Sequence, residues 1–137
     1  MNASSTLTRL CEAYDILILY LFGSQAKAAV HFLLNGEPIP PTSSDLDVGI
    51  LPARRLSVRE KVAFAQALEE LFRVKRVDLV VIPEADPFLA ANIVRGERVY
   101  ARDSYLADEY DLYILRRAGD LAPLERERMQ IILTKTL

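Results

Sequence analysis

Seven consecutive apolar residues, Ile16 to Phe22, run into Gly23, a stretch of strand length with no polar position. Ahead of it, Asn2 to Thr6 read as a loose start. Leu7, Leu10, Cys11 and Tyr14 then fall at helical spacing. After the Gly23-Ser24 turn the period changes to that of a helix, about 25–34, with Ala26, Ala29, Val30, Leu33 and Leu34 on one stripe. Asn35-Gly36 stops it, and Glu37 to Ser44 form a proline-stiffened loop without a packing pattern. A second strand, about 45–51, ends at Pro52. Ser57-x-x-Glu60 is a capping box that opens a helix through Phe72, whose expected core stripe is Val58, Val62, Ala65, Leu68 and Phe72. A third strand spans about 76–82 and closes at Pro83. Asp86 as N-cap and Pro87 in the first turn start a helix through Phe88, Leu89, Ile93 and Val94 to Gly96. Arg98 to Tyr100 read as a short peripheral strand. The spacing of Leu106, Tyr110, Tyr113 and Ile114 predicts a helix over 104–117, ended by Gly119, with another over 120–133. Strands and helices in this order predict an α/β (α+β) fold: a small mixed β-sheet with helices packed on it and C-terminal helices beyond.

Composition narrows this picture. The 137 residues suit one domain with one core, spanning 1–137: a core of about 15–102 and a helical extension of about 103–137. A net charge of −2 supplies no general attraction to nucleic acid, so long nucleic acid is not an expected partner. The single cysteine, Cys11, excludes an intramolecular disulfide and reads as structural. The apolar run 16–22 is far too short to span a bilayer, and the chain is expected to be soluble and cytoplasmic. The lone histidine, His31, sits among apolar residues on a helix and is not expected to ligate a metal. Arg54-Arg55 and Arg73, Lys75 and Arg76 read as solvated charge, and Tyr105, Tyr110 and Tyr113 as core or partner-facing.

Candidate chemistry gathers at three places. Gly23 permits close backbone approach to a ligand, Ser24 offers a hydroxyl, and a following helix N-terminus offers free N–H groups, together a phosphate cradle. Asp45 and Asp47, two apart on a strand, point to one side, and a divalent cation relieves their repulsion. Asp78 sits second in an otherwise apolar strand, where an unpaired carboxylate is costly. If its strand neighbours that of Asp47, the three carboxylates share a cleft. They could then hold two cations about 3.5–4 Å apart for in-line phosphoryl chemistry. Taken singly, Asp45 could cap a turn, Asp47 could sit at a solvated edge, and Asp78 could pair with Lys75 or Arg76.

Leu21-Phe22-Gly23-Ser24-Gln25-Ala26, Ser44-Asp45-Leu46-Asp47-Val48 and Val77-Asp78-Leu79-Val80 resemble the minimal nucleotidyltransferases of the polymerase-beta-like superfamily. The segment from Ala90 to Tyr100 resembles the close of that domain. The resemblance covers about 15–102 and implies the polymerase-beta-like nucleotidyltransferase fold. It further implies that Gly23 and Ser24 hold nucleotide phosphates, and that Asp45, Asp47 and Asp78 are catalytic and bind Mg²⁺ or Mn²⁺. In that reading Asp78 also activates the attacking hydroxyl, and ATP is the nucleotide donor. Small members are commonly antitoxins that add AMP to a tyrosine of a helical HEPN toxin, so the resemblance also implies that partner. Two features differ from the usual pattern: Ala28 follows Lys27 where a glycine is common, and twenty residues, 25–44, separate Ser24 from Asp45 instead of roughly ten. The competing functions are a non-catalytic antitoxin that neutralises a partner by contact and a small-molecule nucleotidyltransferase of the antibiotic-modifying kind.

Overall fold

A computed structural model describes residues 2–42 and 44–136; Ser43, within the predicted loop, lies outside them, as do Met1 and Leu137. The elements are α1 (Ala3–Ala13), β1 (Ile16–Phe22), α2 (Ala26–Asn35), β2 (Leu46–Pro52), α3 (Val58–Phe72), β3 (Val77–Val81), α4 (Pro87–Val94), β4 (Glu97–Ala101) and α5 (Ser104–Thr136), with a short 3₁₀ turn at Ile82–Glu84.

The four strands form one mixed sheet in the order β3-β2-β1-β4. Strand β1 runs antiparallel to both of its neighbours, while β2 and β3 are parallel and joined by the crossover helix α3. The uninterrupted apolar run of β1 is thereby explained, because this strand is covered on both faces. Leu19 and Leu21 pack with Cys11, Ala29, Phe32, Phe64, Leu68 and Phe72 of α1, α2 and α3. Ile18, Tyr20 and Phe22 pack with Ala91 and Ile93 of α4 and Ala107 and Ile114 of α5. Strand β4 is the peripheral strand expected, an edge paired only with β1.

Several expectations fail at the level of faces and ends. Residues 2–6 are not loose: α1 starts at Ala3 because the Asn2 side chain caps it, accepting from the Ser5 N–H at 2.8 Å. The α3 stripe is Phe64, Leu68 and Phe72, whereas Val58 and Val62 are 76% and 51% exposed. In α2, Phe32 is buried and Leu34 exposed; in α4, Ala90 and Ala91 are buried and Phe88 is exposed. Instead of two C-terminal helices there is one, which passes through Gly119 and Pro123. Gly119 ends nothing because it lacks the left-handed φ of a glycine cap, which Gly36 and Gly23 do adopt. The buried positions of α5 are Ala107, Ile114 and Ala118, while Leu106 and Tyr113 face outward.

Candidate active site

Sheet register assembles the site. Phe22, the last residue of β1, pairs with Asp47, and Asp47 pairs in turn with Asp78 across the parallel β2–β3 ladder. The Gly23-Ser24 turn is therefore delivered beside Asp47 in spite of the twenty intervening residues. The approach is tight: a Cβ added at Gly23 would stand 3.2 Å from Asp47 Cγ and closer still to Oδ2. Gly23 also has φ of +75°, a conformation glycine adopts without steric cost. Beyond the turn, Gln25 precedes α2 without a side-chain cap, leaving first-turn N–H groups of the helix available to an anion. Ser24 and Lys27 are exposed at this end.

The carboxylates differ in setting. Asp45 and Asp47 are half-buried, and Asp78 is exposed. The expectation that Asp78 is costly because buried is corrected here: β3 is an edge strand, so water reaches it. Among the described residues no ion pair joins Asp78 to Lys75 or Arg76. Asp47 is the hub. Burial, then the charge of Asp78, then that of Asp45 and a hydrogen bond with Asp78, raise its carboxyl pKa above the ordinary value. A raised pKa of this origin marks crowded negative charge that a cation would relieve. Hard carboxylate oxygens without histidine or thiolate suit Mg²⁺ or Mn²⁺. The described residues hold no group of three His, Cys, Asp or Glu side chains placed to hold a metal ion; Asp47 has Asp78 and Asp45 as its charged neighbours.

Two other groups are set aside by the structure. Cys11 is fully buried and its thiol is pushed up to about 12, mainly by burial and then by Glu12, which makes it a packing residue and no nucleophile. His31 is exposed on α2. What the sequence reading missed is a cleft of about 400 Å³ beside Asp45, running from Gln25 under the loop at Ile39–Thr42 to Arg73, Lys75 and Arg76. The available signal was three cations within four residues, directly before the strand of Asp78.

Comparison with known proteins bears on the family and the fold. A sequence profile of the family described as "Polymerase beta, Nucleotidyltransferase" matches residues 5–105. No curated protein sequence matches. Among solved structures, a toxin-antitoxin complex with AMP-PNP aligns over all of both chains at 20% identity with a TM-score of 0.67. A mutant of the toxin-antitoxin MntA-HpeT aligns over all of both chains at 20% identity and 0.66. The tri-AMPylated Shewanella oneidensis HEPN toxin in complex with MNT antitoxin aligns over 98% of this chain and 97% of that one, at 20% identity and 0.66. At these identities the likeness establishes a shared fold, α5 included.

Proposed function

Because this chain belongs to the polymerase beta nucleotidyltransferase family, we propose that it moves AMP from ATP to a hydroxyl of a partner protein, a tyrosine of a HEPN toxin. The observation that supports the reading is the close approach of the Gly23 turn to Asp47, where an added Cβ would stand 3.2 Å from Asp47 Cγ. The acceptor is suggested by the structural relatives, which include a tri-AMPylated HEPN toxin with its MNT antitoxin and a complex with AMP-PNP. In this scheme the core, about 15–102, carries the chemistry and the extension, about 103–137, belongs to partner binding. Among the described residues no helix is long and apolar enough to cross a membrane; the proposed ATP donor is what points to a cytoplasmic site of action.

Each group has a role set by its place. Gly23 lets the backbone approach the triphosphate, and the Ser24 hydroxyl and the first-turn N–H groups of α2 donate to phosphate oxygens. Asp45 and Asp47, with Asp78, would hold Mg²⁺ or Mn²⁺. A cation held there would supply charge neutralisation at the phosphates and a lowered pKa of the attacking hydroxyl. Asp78, at the exposed edge of the group, can be reached by an acceptor from outside and accepts the hydroxyl proton on a carboxylate oxygen. The sheet edge is open there, so the acceptor arrives without displacing a structural element.

The test uses ATP labelled in its α-phosphate. Wild type should label the partner toxin in the presence of Mg²⁺. The D45N/D47N double variant keeps side-chain shape and relieves repulsion, so it should fold, co-purify with the partner, transfer no label and fail to protect cells. Protection by the double variant at the wild-type level would overturn catalysis in favour of neutralisation by contact.

A further inference from the structure

Two non-glycine residues have left-handed backbone, Asp15 with φ of 55° and Arg73 with φ of 58°. In an L-residue this conformation costs roughly 1–2 kcal/mol. The carboxylate of Asp15 is engaged by Arg54 and Arg102 at 3.4 and 3.3 Å. Arg73 ends α3 at a position where glycine is the least costly choice, and among the described residues its guanidinium enters no ion pair. Lys75 and Arg76 enter none either. These three cations form one wall of the 400 Å³ cleft, and Asp45 is the only carboxylate among the described residues of its lining. On a chain of net charge −2 this is a local excess of positive charge facing a cavity.

The opposite wall is the loop between α2 and β2. The loop that lengthens the spacing between Ser24 and Asp45 is pinned by Ile39, which is half-buried against the core, and Pro40 to Thr42 complete the wall. All three cations remain exposed to solvent, where they can make charge-assisted hydrogen bonds to an anion seated in the cleft.

Position selects the ligand. The cleft is bounded by Gln25 at the start of α2, by the end of α3 and by Leu46, all on the α1–α3 side of the sheet. Asp47 and Asp78 alternate with Leu46, Val48, Val77 and Leu79 and so project from the other face. An acceptor approaching Asp78 is on that other face. Asp45, just before β2, lines the cleft, so a triphosphate whose α-phosphate sits at Asp45 would lay its chain along the start of α2 into the cleft. Resting on the function proposed above, we infer that Arg73, Lys75 and Arg76 form a subsite for the terminal phosphates of the nucleotide, which reads the triphosphate and holds the departing pyrophosphate. The bond broken is that between the α- and β-phosphates; the pyrophosphate leaves with its electron pair into a wall of cations.

Binding, not turnover, tests this. Titration calorimetry of the full chain with tripolyphosphate, ATP and AMP, each with Mg²⁺, is compared with the R73G/K75Q/R76Q variant. Glycine relieves the backbone cost at position 73, so the variant should melt no lower than wild type. Tripolyphosphate and ATP should bind the variant at least about tenfold more weakly, the effect of losing about 1.4 kcal/mol, while AMP changes by less than about twofold. Equal binding of tripolyphosphate and ATP by both proteins overturns the subsite. So does a variant in which only the KM for the protein acceptor rises, since that assigns the cations to an acidic segment of the partner. Binding of tripolyphosphate through these residues without any transfer would preserve the subsite and sink the enzyme. Transfer with unaltered phosphate binding would do the reverse.

Discussion

At the scale of single residues, Gly23 and Asp47 are the most constrained pair. Gly23→Ala adds a Cβ into the Asp47 carboxylate and forces an L-residue to φ of +75°, at a cost of at least about 1–2 kcal/mol. Thermal melting should show that loss, and the ATP-plus-Mg²⁺ stabilisation of wild type should vanish with it. Asp47→Asn should act in the opposite direction on stability. The folded pKa of Asp47 is raised, so ionisation costs folding stability as pH climbs from the unfolded value through the folded one. At neutral pH without metal, D47N should therefore melt at or above the wild-type temperature, yet lose the joint shift produced by ATP and Mg²⁺. A retained shift in D47N would remove Asp47 from the ligand set. Much of this residue-level site was legible in the sequence: Gly23, Ser24, Asp45, Asp47 and Asp78 are all brought to one end of the sheet. Their unequal exposure was not, because it depends on which strand lies at the edge.

Among the elements, α3 and α5 show how local signals succeed and fail. The Ser57–Glu60 capping box forms as its sequence demands, with Ser57 Oγ accepting from the Glu60 N–H at 3.1 Å and Glu60 accepting from the Ser57 N–H at 2.9 Å. Ser57→Ala should cost about 1 kcal/mol by urea denaturation. The bidentate Arg54 partner, and then the Ser57 N–H, hold the Glu60 carboxyl at about 2, below its usual 4.5. Its folded pKa is depressed, so its contribution is present above about 4.5 and lost as pH falls towards about 2. The stability gap between wild type and E60Q should close over that same window. In α5 a glycine and a proline failed to end the helix. Pro123 cannot donate to the carbonyl four residues earlier, which is that of Gly119, so the two weak points coincide. A Cβ at Gly119 would meet nothing within 4 Å, and Gly119→Ala should stabilise the outer half of α5 by about 1 kcal/mol. Hydrogen exchange of amides beyond residue 118 reads this more directly than global melting, because that half has few buried contacts.

Across the whole molecule, α5 is tied to the sheet by one polar network under the second core. The hydroxyl of fully buried Tyr20 on β1 donates to Asp111 on α5, and Arg98 on β4 bridges Asp111 at 2.9 Å and Asp108 at 2.8 Å. Tyr20→Phe removes one donor to a charged acceptor and should cost about 1–3 kcal/mol. Burial first, and then the hydrogen bond to Asp111, raise the Tyr20 pKa above its ordinary 10. A raised folded pKa means that the contribution is full below about pH 10 and is lost as pH rises beyond it. The alkaline limb of wild-type stability should accordingly be steeper than that of Y20F, and identical slopes would remove the phenol from this linkage.

The sequence by itself determined the order and kind of the elements up to β4, the caps at Ser57 and Asp86, and the family resemblance that named the chemistry. Those features arise from neighbours a few residues apart, through the 3.6- and 2-residue periods and through local hydrogen bonds. Tertiary structure alone decided the strand order, the Phe22–Asp47–Asp78 register, which helix positions are covered, and the cleft that the long loop shares with Arg73, Lys75 and Arg76. Each of these depends on surfaces supplied by segments remote in the chain. A helix stripe such as Val58 and Val62 carries the right period but meets no partner, so it stays exposed. Gly119 is a potential helix end without the cap geometry that would make it one.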